Sequence, residues 1–438
     1  MPLPFADPLA LARALVRVDS RNPDLVPGAP GERECARLLA DVLGTWGFRV
    51  ELHDAAPGRP NVVARIGRAE PGAPVLLLNG HLDVVGTDGM THAPFDAEER
   101  DGRLYGRGAC DMKAGVAAMC AAAARAHAAG AVRGEVVIAA VADEEFESAG
   151  TRALVEWMAR EGVRPDGCVI TEPTRLAVMP AHRGFAWYTV TVHGRAAHGS
   201  RYDLGIDAIR HAGLLLAELD ALDADELPRR APHPLLGRGS LHASLVEGGV
   251  GLTTYPERCV VRLERRTIPG ESAAGAQAEI EAACARVGAR LAAVGREPFR
   301  ATVALDFAQP PSDVPADAPL VQALGAALAG AGEGVRVEGM PAWTDAALLN
   351  AAGVPTVCFG PGDIGLAHAA EEWVELAEVE RAAGVLEGLV RGWGGRRDDR
   401  TVAGSGGSGV SSPGRAGGTA DESTVRPSTG ATDVVGRT

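Results

Sequence analysis

A chain of 438 residues that is 46% hydrophobic and 23% charged has ample material for a large core and is long enough for two domains. Its net charge of −14, with basic residues scattered rather than striped, argues against nucleic acid or an anionic membrane surface as a main partner. Seven cysteines, odd in number and without a C-x2-C pair, argue against a disulfide framework or a Cys-rich zinc site and favour a reducing cytosol.

The first stretch, MPLPFADPLALARALVRVDS, has no basic region followed by a clean apolar one, so a secretion signal is not expected. No apolar run reaches the length of a membrane span, and a cytoplasmic location is predicted. LALARALV and ECARLLADVLGTW carry helical spacing of apolar residues, while NVVARI and PVLLLN read as short buried strands. An Ala-rich helix is predicted over 112–130, closed by Gly130. GEVVIAAVA, TRALVEWMAREG and CVIT continue as strand, helix and strand. This alternation predicts an α/β fold, mainly a parallel sheet with helices on both faces.

Near residue 182 the texture changes. FAWYTVTVHG alternates like a half-exposed antiparallel strand, and DAIRHAGLLLAELDAL is helical. HASLVEGG, RCVVRLERRT and FRATVALDF are strand-like, and AGAQAEIEAACARVGARLAAVG is a second helix. Four strands and two helices make a smaller α+β unit inserted at 183–309. From APLVQALGAALAGA the α/β pattern returns, through PTVCFG to a last helix near residue 392. The α/β part is thus expected at 1–182 and 310–395, and the tail 396–438, poor in apolar residues, is expected to be disordered.

Polar residues gather at one edge of this scheme. His81 and Asp83 follow VLLLN, Asp111 follows GRGAC, and Glu144 and Glu145 end VVIAAVA. Glu172 ends CVIT, and His368 lies after TVCFG. Ligands and catalytic groups collect beyond the carboxyl ends of strands in open α/β sheets. Taken singly, each residue has an ordinary role: His81 a bonded structural histidine, Asp111 a helix cap, residues 143–145 a solvated turn. Together they point to a pair of divalent cations, since imidazole and carboxylate suit zinc, cobalt or manganese and adjacent acids need neutralising.

HLDVV, GRGACDMKAG, DEEFESAG, TEPT and GLAHAAEEWV, in this order over roughly residues 8–392, closely resemble the aminoacylase family of dinuclear zinc hydrolases. That family includes acetylornithine deacetylase, succinyl-diaminopimelate desuccinylase and glutamate carboxypeptidase. The resemblance implies two metal ions, most readily zinc, bridged by Asp111. One ion is completed by His81 and Glu172, the other by Glu145 and His368. It also implies Glu144 as general base and Asp83 as the residue that orients His81.

His198 in HGRAAHGS matches the histidine that aids the oxyanion from the partner subunit of a homodimer, and Arg266 in ERRTIPGE matches the arginine that grips a substrate carboxylate. The loop FGPGDIG offers backbone N–H groups to the same carboxylate. Two departures fall on the substrate side: Thr253 stands where many relatives carry Asn, and His368-Ala-Ala-Glu371-Glu372 replaces His-x-x-Asn-Glu. The expected function is hydrolysis of the amide bond of an N-acyl amino acid. A metallo-carboxypeptidase or dipeptidase is the alternative, and a non-catalytic binding protein on this fold a remote one.

Overall fold

The strand Glu135–Val141 organises the molecule and is buried at every position. Such a strand needs cover on both faces, which is why its sequence is a continuous apolar run without alternation. The computed structural model describes residues 3–394, and the tail expected at 396–438 lies outside the described residues.

Among the described residues this strand is third in a nine-stranded sheet. The order is Arg49–Ala56, Arg59–Gly67, Glu135–Val141, Val75–His81, Gly167–Ile170, Thr356–Cys358, Val178–His182 and Ser312–Asp313, with Val337–Met340 also beside Val178–His182. The central pairings, from Glu135–Val141 to Thr356–Cys358, are parallel. Both margins contain antiparallel pairs. The fold is therefore α/β as expected, on a mixed sheet with a parallel centre.

The helix Ala114–Ala128 is buried on nearly all sides, as a helix apolar all round except for Arg125 and His127 in its last turn must be. Its small residues permit close approach to the sheet: a Cβ on Gly115 would lie 2.0 Å from the Thr171 carbonyl oxygen. This helix packs against Leu376–Gly392 and Pro8–Val16, while Arg33–Thr45 and Ala149–Glu161 lie on the strands Arg49–Ala56 and Arg59–Gly67. The α-helix begins two residues later than its composition suggests. A wide turn, Ala109–Lys113, precedes it, and Asp111 has extended backbone there (φ −118°, ψ 98°), so Asp111 is not a helix cap. The strands Glu98–Arg100, Arg103–Tyr105 and Trp373–Glu375 form a small third sheet that is too short to show a period in sequence.

Between the returns to the main sheet lies a four-stranded antiparallel sheet, ordered Ser240–Gly248, Arg258–Thr267, Gly184–His193, Arg300–Gln309. Its strand Gly184–His193 buries Ala186, Tyr188, Val190 and Val192 against the helices Ala208–Ala221 and Ala273–Ala293. These residues form a core separate from that under the main sheet. Phe185 and Trp187 alternate with these residues and point to the opposite face, away from those two helices. All seven cysteines are free, and no helix among the described residues is long and apolar enough to cross a membrane.

Candidate metal centre

Strand ends deliver the polar residues to one place. His81 is the last residue of Val75–His81, Glu144 and Glu145 follow Glu135–Val141, and Glu172 follows Gly167–Ile170. Because these three strands are neighbours and parallel, their carboxyl ends share one edge. His81 Nε2 stands 3.1 Å from Asp111 Oδ1. His368 Nε2, arriving from the loop after Thr356–Cys358, lies 2.9 Å from Glu145 Oε2 and 3.5 Å from Asp111 Oδ2. His81, Asp111 and Glu145 place ligand atoms within 4.8 Å of one another, and so do His81, Glu144 and Glu172. All five expected ligands are thus brought together, with Glu144 among them.

The acids outnumber their partners. Burial pushes the carboxyl groups of Glu144 and Glu172 well above the ordinary range, and neighbouring carboxylates add to the effect. Asp83 is raised to about 7 and Asp345 to about 6, burial being the main cause in both. Asp111 is instead lowered: burial opposes ionisation, but hydrogen bonds and charge from His81 and the nearby His368 prevail. His368 is raised to about 9, chiefly by its hydrogen bond to Glu145. Two imidazoles do not balance this much buried acid, and an N/O donor set without cysteine suits divalent cations of the zinc, cobalt and manganese kind. The residues fit the metal pair.

A supporting frame holds this cluster. His81 Nδ1–H donates to the Asp83 backbone carbonyl at 2.9 Å, which leaves Nε2 as the free ligand atom. The Asp83 side chain does something the sequence did not suggest: its carboxylate accepts from Glu144 N at 3.1 Å, Glu145 N at 3.2 Å and Asn22 Nδ2 at 2.8 Å. It fixes the Glu144-Glu145 turn more directly than it orients the imidazole, whose Nδ1 is 3.7 Å from Asp83 Oδ1.

Asn22 also donates to Asp143, which takes a second bond from Arg59 at 2.8 Å. Arg59 is held in turn by Glu32, buried at 0% exposure. On the other side Glu372 accepts from Cys110 N and Asp111 N and pairs with Arg107 at 2.6 Å. Glu372 thus braces the metal-side loop, while Glu371 is exposed, 3.8 Å from Arg100. Asn22, Arg59, Glu32 and Asp345 lie far from any motif, and only their burial identifies them.

His198 and Arg266 are not among these groups. His198 is exposed in the smaller sheet's loops, its Nδ1 bonded to Ser200 Oγ at 2.8 Å. Arg266 sits on Arg258–Thr267, bonded to Glu264, with its guanidinium 5.3 Å from the Phe185 ring centre.

Residues 77–392 match Peptidase family M20/M25/M40. The chain belongs to that family. It is accordingly an enzyme, a metal-dependent hydrolase of amide-type C–N bonds. Over 78% of this chain and 87% of the relative, it is 31% identical to acetylornithine deacetylase of Myxococcus xanthus. It is 37% identical to succinyl-diaminopimelate desuccinylase of Gluconobacter oxydans (strain 621H) over 59% of this chain and 67% of that one.

The M20 fold is shared with aminopeptidase PepT of Bacillus cereus ATCC 10987, at a TM-score of 0.71 and 17% identity, covering 89% of this chain and 99% of that one. It is also shared with the Bacillus subtilis YXEP protein, described as a dinuclear metal binding peptidase, at 0.64 and 18%, covering 88% and 96%.

Proposed function

We propose that this M20 enzyme removes the acyl group from an N-acyl amino acid. The observation that carries the reading is the placement of Glu144, beside His81 and Glu172 on a turn clamped by Asp83. That is what a general base for amide hydrolysis needs, a proton acceptor held beside the reacting carbonyl. In this reading two divalent ions would be held by Asp111, common to both, with His81 and Glu172 on one side and Glu145 and His368 on the other. Divalent ions bound there, zinc first and cobalt or manganese as alternatives, would polarise the scissile carbonyl and bring the pKa of water toward ~7. Glu144 takes the proton of the attacking water and delivers it to the leaving amine nitrogen.

Deacylase relatives at 31% and 37% identity favour this over a carboxypeptidase or dipeptidase. Protein stripped of metal and reloaded separately with zinc, cobalt and manganese, then offered N-acetyl and N-succinyl amino acids beside dipeptides, decides between them. Faster cleavage of the N-acyl substrates is expected; faster cleavage of dipeptides selects the alternative, and activity without metal refutes the mechanism.

We infer further that residues 183–309 form a lid and dimerisation domain on a catalytic domain of 1–182 and 310–395. The supporting observation is the edge strand Ser240–Gly248, unpaired on its outer side and exposed from His242 onward. Leu245, Val246, Val250, Leu252 and, on the neighbouring helix, Ile209 are exposed beside it. Such an edge invites strand addition, and a second copy would cover it. His198 then serves the partner's site as oxyanion donor. Leu245→Arg should give monomers by light scattering with loss of activity; a monomeric wild type at full activity overturns the arrangement. Arg266, already paired with Glu264, would share its guanidinium with a substrate carboxylate. Seven free cysteines support a cytoplasmic location.

A further inference from the structure

The chain has only six Trp and eight Phe, yet two of each meet at one place. On the face of the smaller sheet turned away from its two helices, Phe185, Trp187 and Phe307 have ring centres 5.2 to 5.8 Å apart. Trp343, from the main sheet's side, meets Phe185 edge to face at 6.4 Å. This is not core packing: Trp187 is 45% exposed, and the other three rings are half-buried.

Polar groups hold the rings in place. Glu264 accepts from Trp187 Nε1 at 3.1 Å and also binds Arg266, whose guanidinium lies over Phe185. Trp343 Nε1 donates to the Pro310 carbonyl at 3.0 Å. Through Trp343 the chain leads from the cluster to a buried acid near the metal-site carboxylates. Trp343 is followed by Thr344 and by Asp345, which is buried against Thr151 and whose charge reaches Glu144 and Glu172. A half-exposed aromatic surface with a cation at its margin favours a flat apolar group attached to an anion.

We propose that Phe185, Trp187, Phe307 and Trp343 form a specificity platform that selects N-acyl amino acids carrying an aryl group; the proposal rests on the amidohydrolase reading above. The test compares kcat/KM of the metal-loaded full chain for N-acetylphenylalanine, N-benzoylglycine, N-acetylornithine and N-acetylglycine. At least one aryl substrate should exceed N-acetylglycine about tenfold, mainly through KM, as expected for one packed ring. A preference for the first places the amino-acid side chain on the platform, and for the second the acyl group.

Trp187→Ala should cut the aryl preference about tenfold and Trp187→Phe should restore it, because the ring rather than the indole N–H carries the contact. N-acetylornithine cleaved fastest by the wild type overturns the platform. So does a Trp187→Ala variant that slows all four substrates equally or alters only the oligomeric state. Should no substrate be cleaved with any metal, the amidohydrolase reading fails. Calorimetric binding of N-acetylphenylalanine against N-acetylornithine then decides the platform alone: tighter aryl binding that is lost in Trp187→Ala keeps it, and equal binding removes it.

Discussion

At the residue scale, Glu144 and Asp83 divide the work between chemistry and placement. Glu144→Gln keeps size and hydrogen bonding but cannot accept the proton, so turnover should fall by about 10²-fold or more. Metal content by elemental analysis should be unchanged, and near-normal turnover would reject Glu144 as the base. Asp83→Ala acts differently. It leaves the N–H groups of Glu144 and Glu145 without their acceptor and takes from the Asn22 amide one of its two, the other being Asp143. Unsatisfied buried donors cost roughly 1–3 kcal/mol each, so a loss of about 3 kcal/mol in urea unfolding is expected, together with lower metal occupancy. Unchanged stability with normal metal content would show that the turn holds its shape unaided.

At the scale of elements, the close contact between the helix Ala114–Ala128 and the sheet controls where Glu172 sits. Gly115 faces the Thr171 carbonyl with no space for a side chain, and Glu172 is the next residue. Gly115→Ala favours the isolated helix by about 1 kcal/mol but here must push the backbones apart. Overpacking costs typically about 1–3 kcal/mol, so the net expectation is a lower melting temperature and weaker metal binding. A variant as stable as the wild type would mean that the helix shifts freely. The same element explains the Ala-rich composition, since larger residues would hold the helix off the strands.

At the scale of the whole molecule, His182 lies where the chain leaves the main sheet for the smaller one. Its Nδ1–H meets the Arg183 carbonyl at 3.0 Å, and Nε2 has no partner. Burial holds its pKa down to about 4, against an ordinary 6.5. The unfolded chain therefore binds this proton first. Stability from the neutral ring is complete above about pH 6.5 and is lost as pH falls toward about 4, on the order of 3 kcal/mol. His182→Gln should flatten this part of the profile when urea unfolding is compared between about pH 7 and about pH 4.5. Equal slopes for the two proteins would exclude His182 as a source of the acid sensitivity.

The alternation of apolar runs sufficed to read the α/β class, the strand Arg258–Thr267 to the residue, and the four strands and two helices of the smaller sheet. That His81, Glu144, Glu145 and Glu172 would share one edge was legible because they end or follow parallel neighbouring strands, whereas Asp111 and His368 reach that edge on the Ala109–Lys113 turn and a long loop. The mixed margins of the main sheet and its short strands left no period to read. The acceptor role of Asp83, the Arg59–Asp143–Asn22 frame and the brace of Glu372 under Asp111 join residues 61 to 262 positions apart. The aromatic surface likewise unites Phe185 with Phe307 and Trp343. Periodicity and motifs report the local chain, whereas the partner of a buried charge and the neighbour of a ring are set by which distant segments pack together.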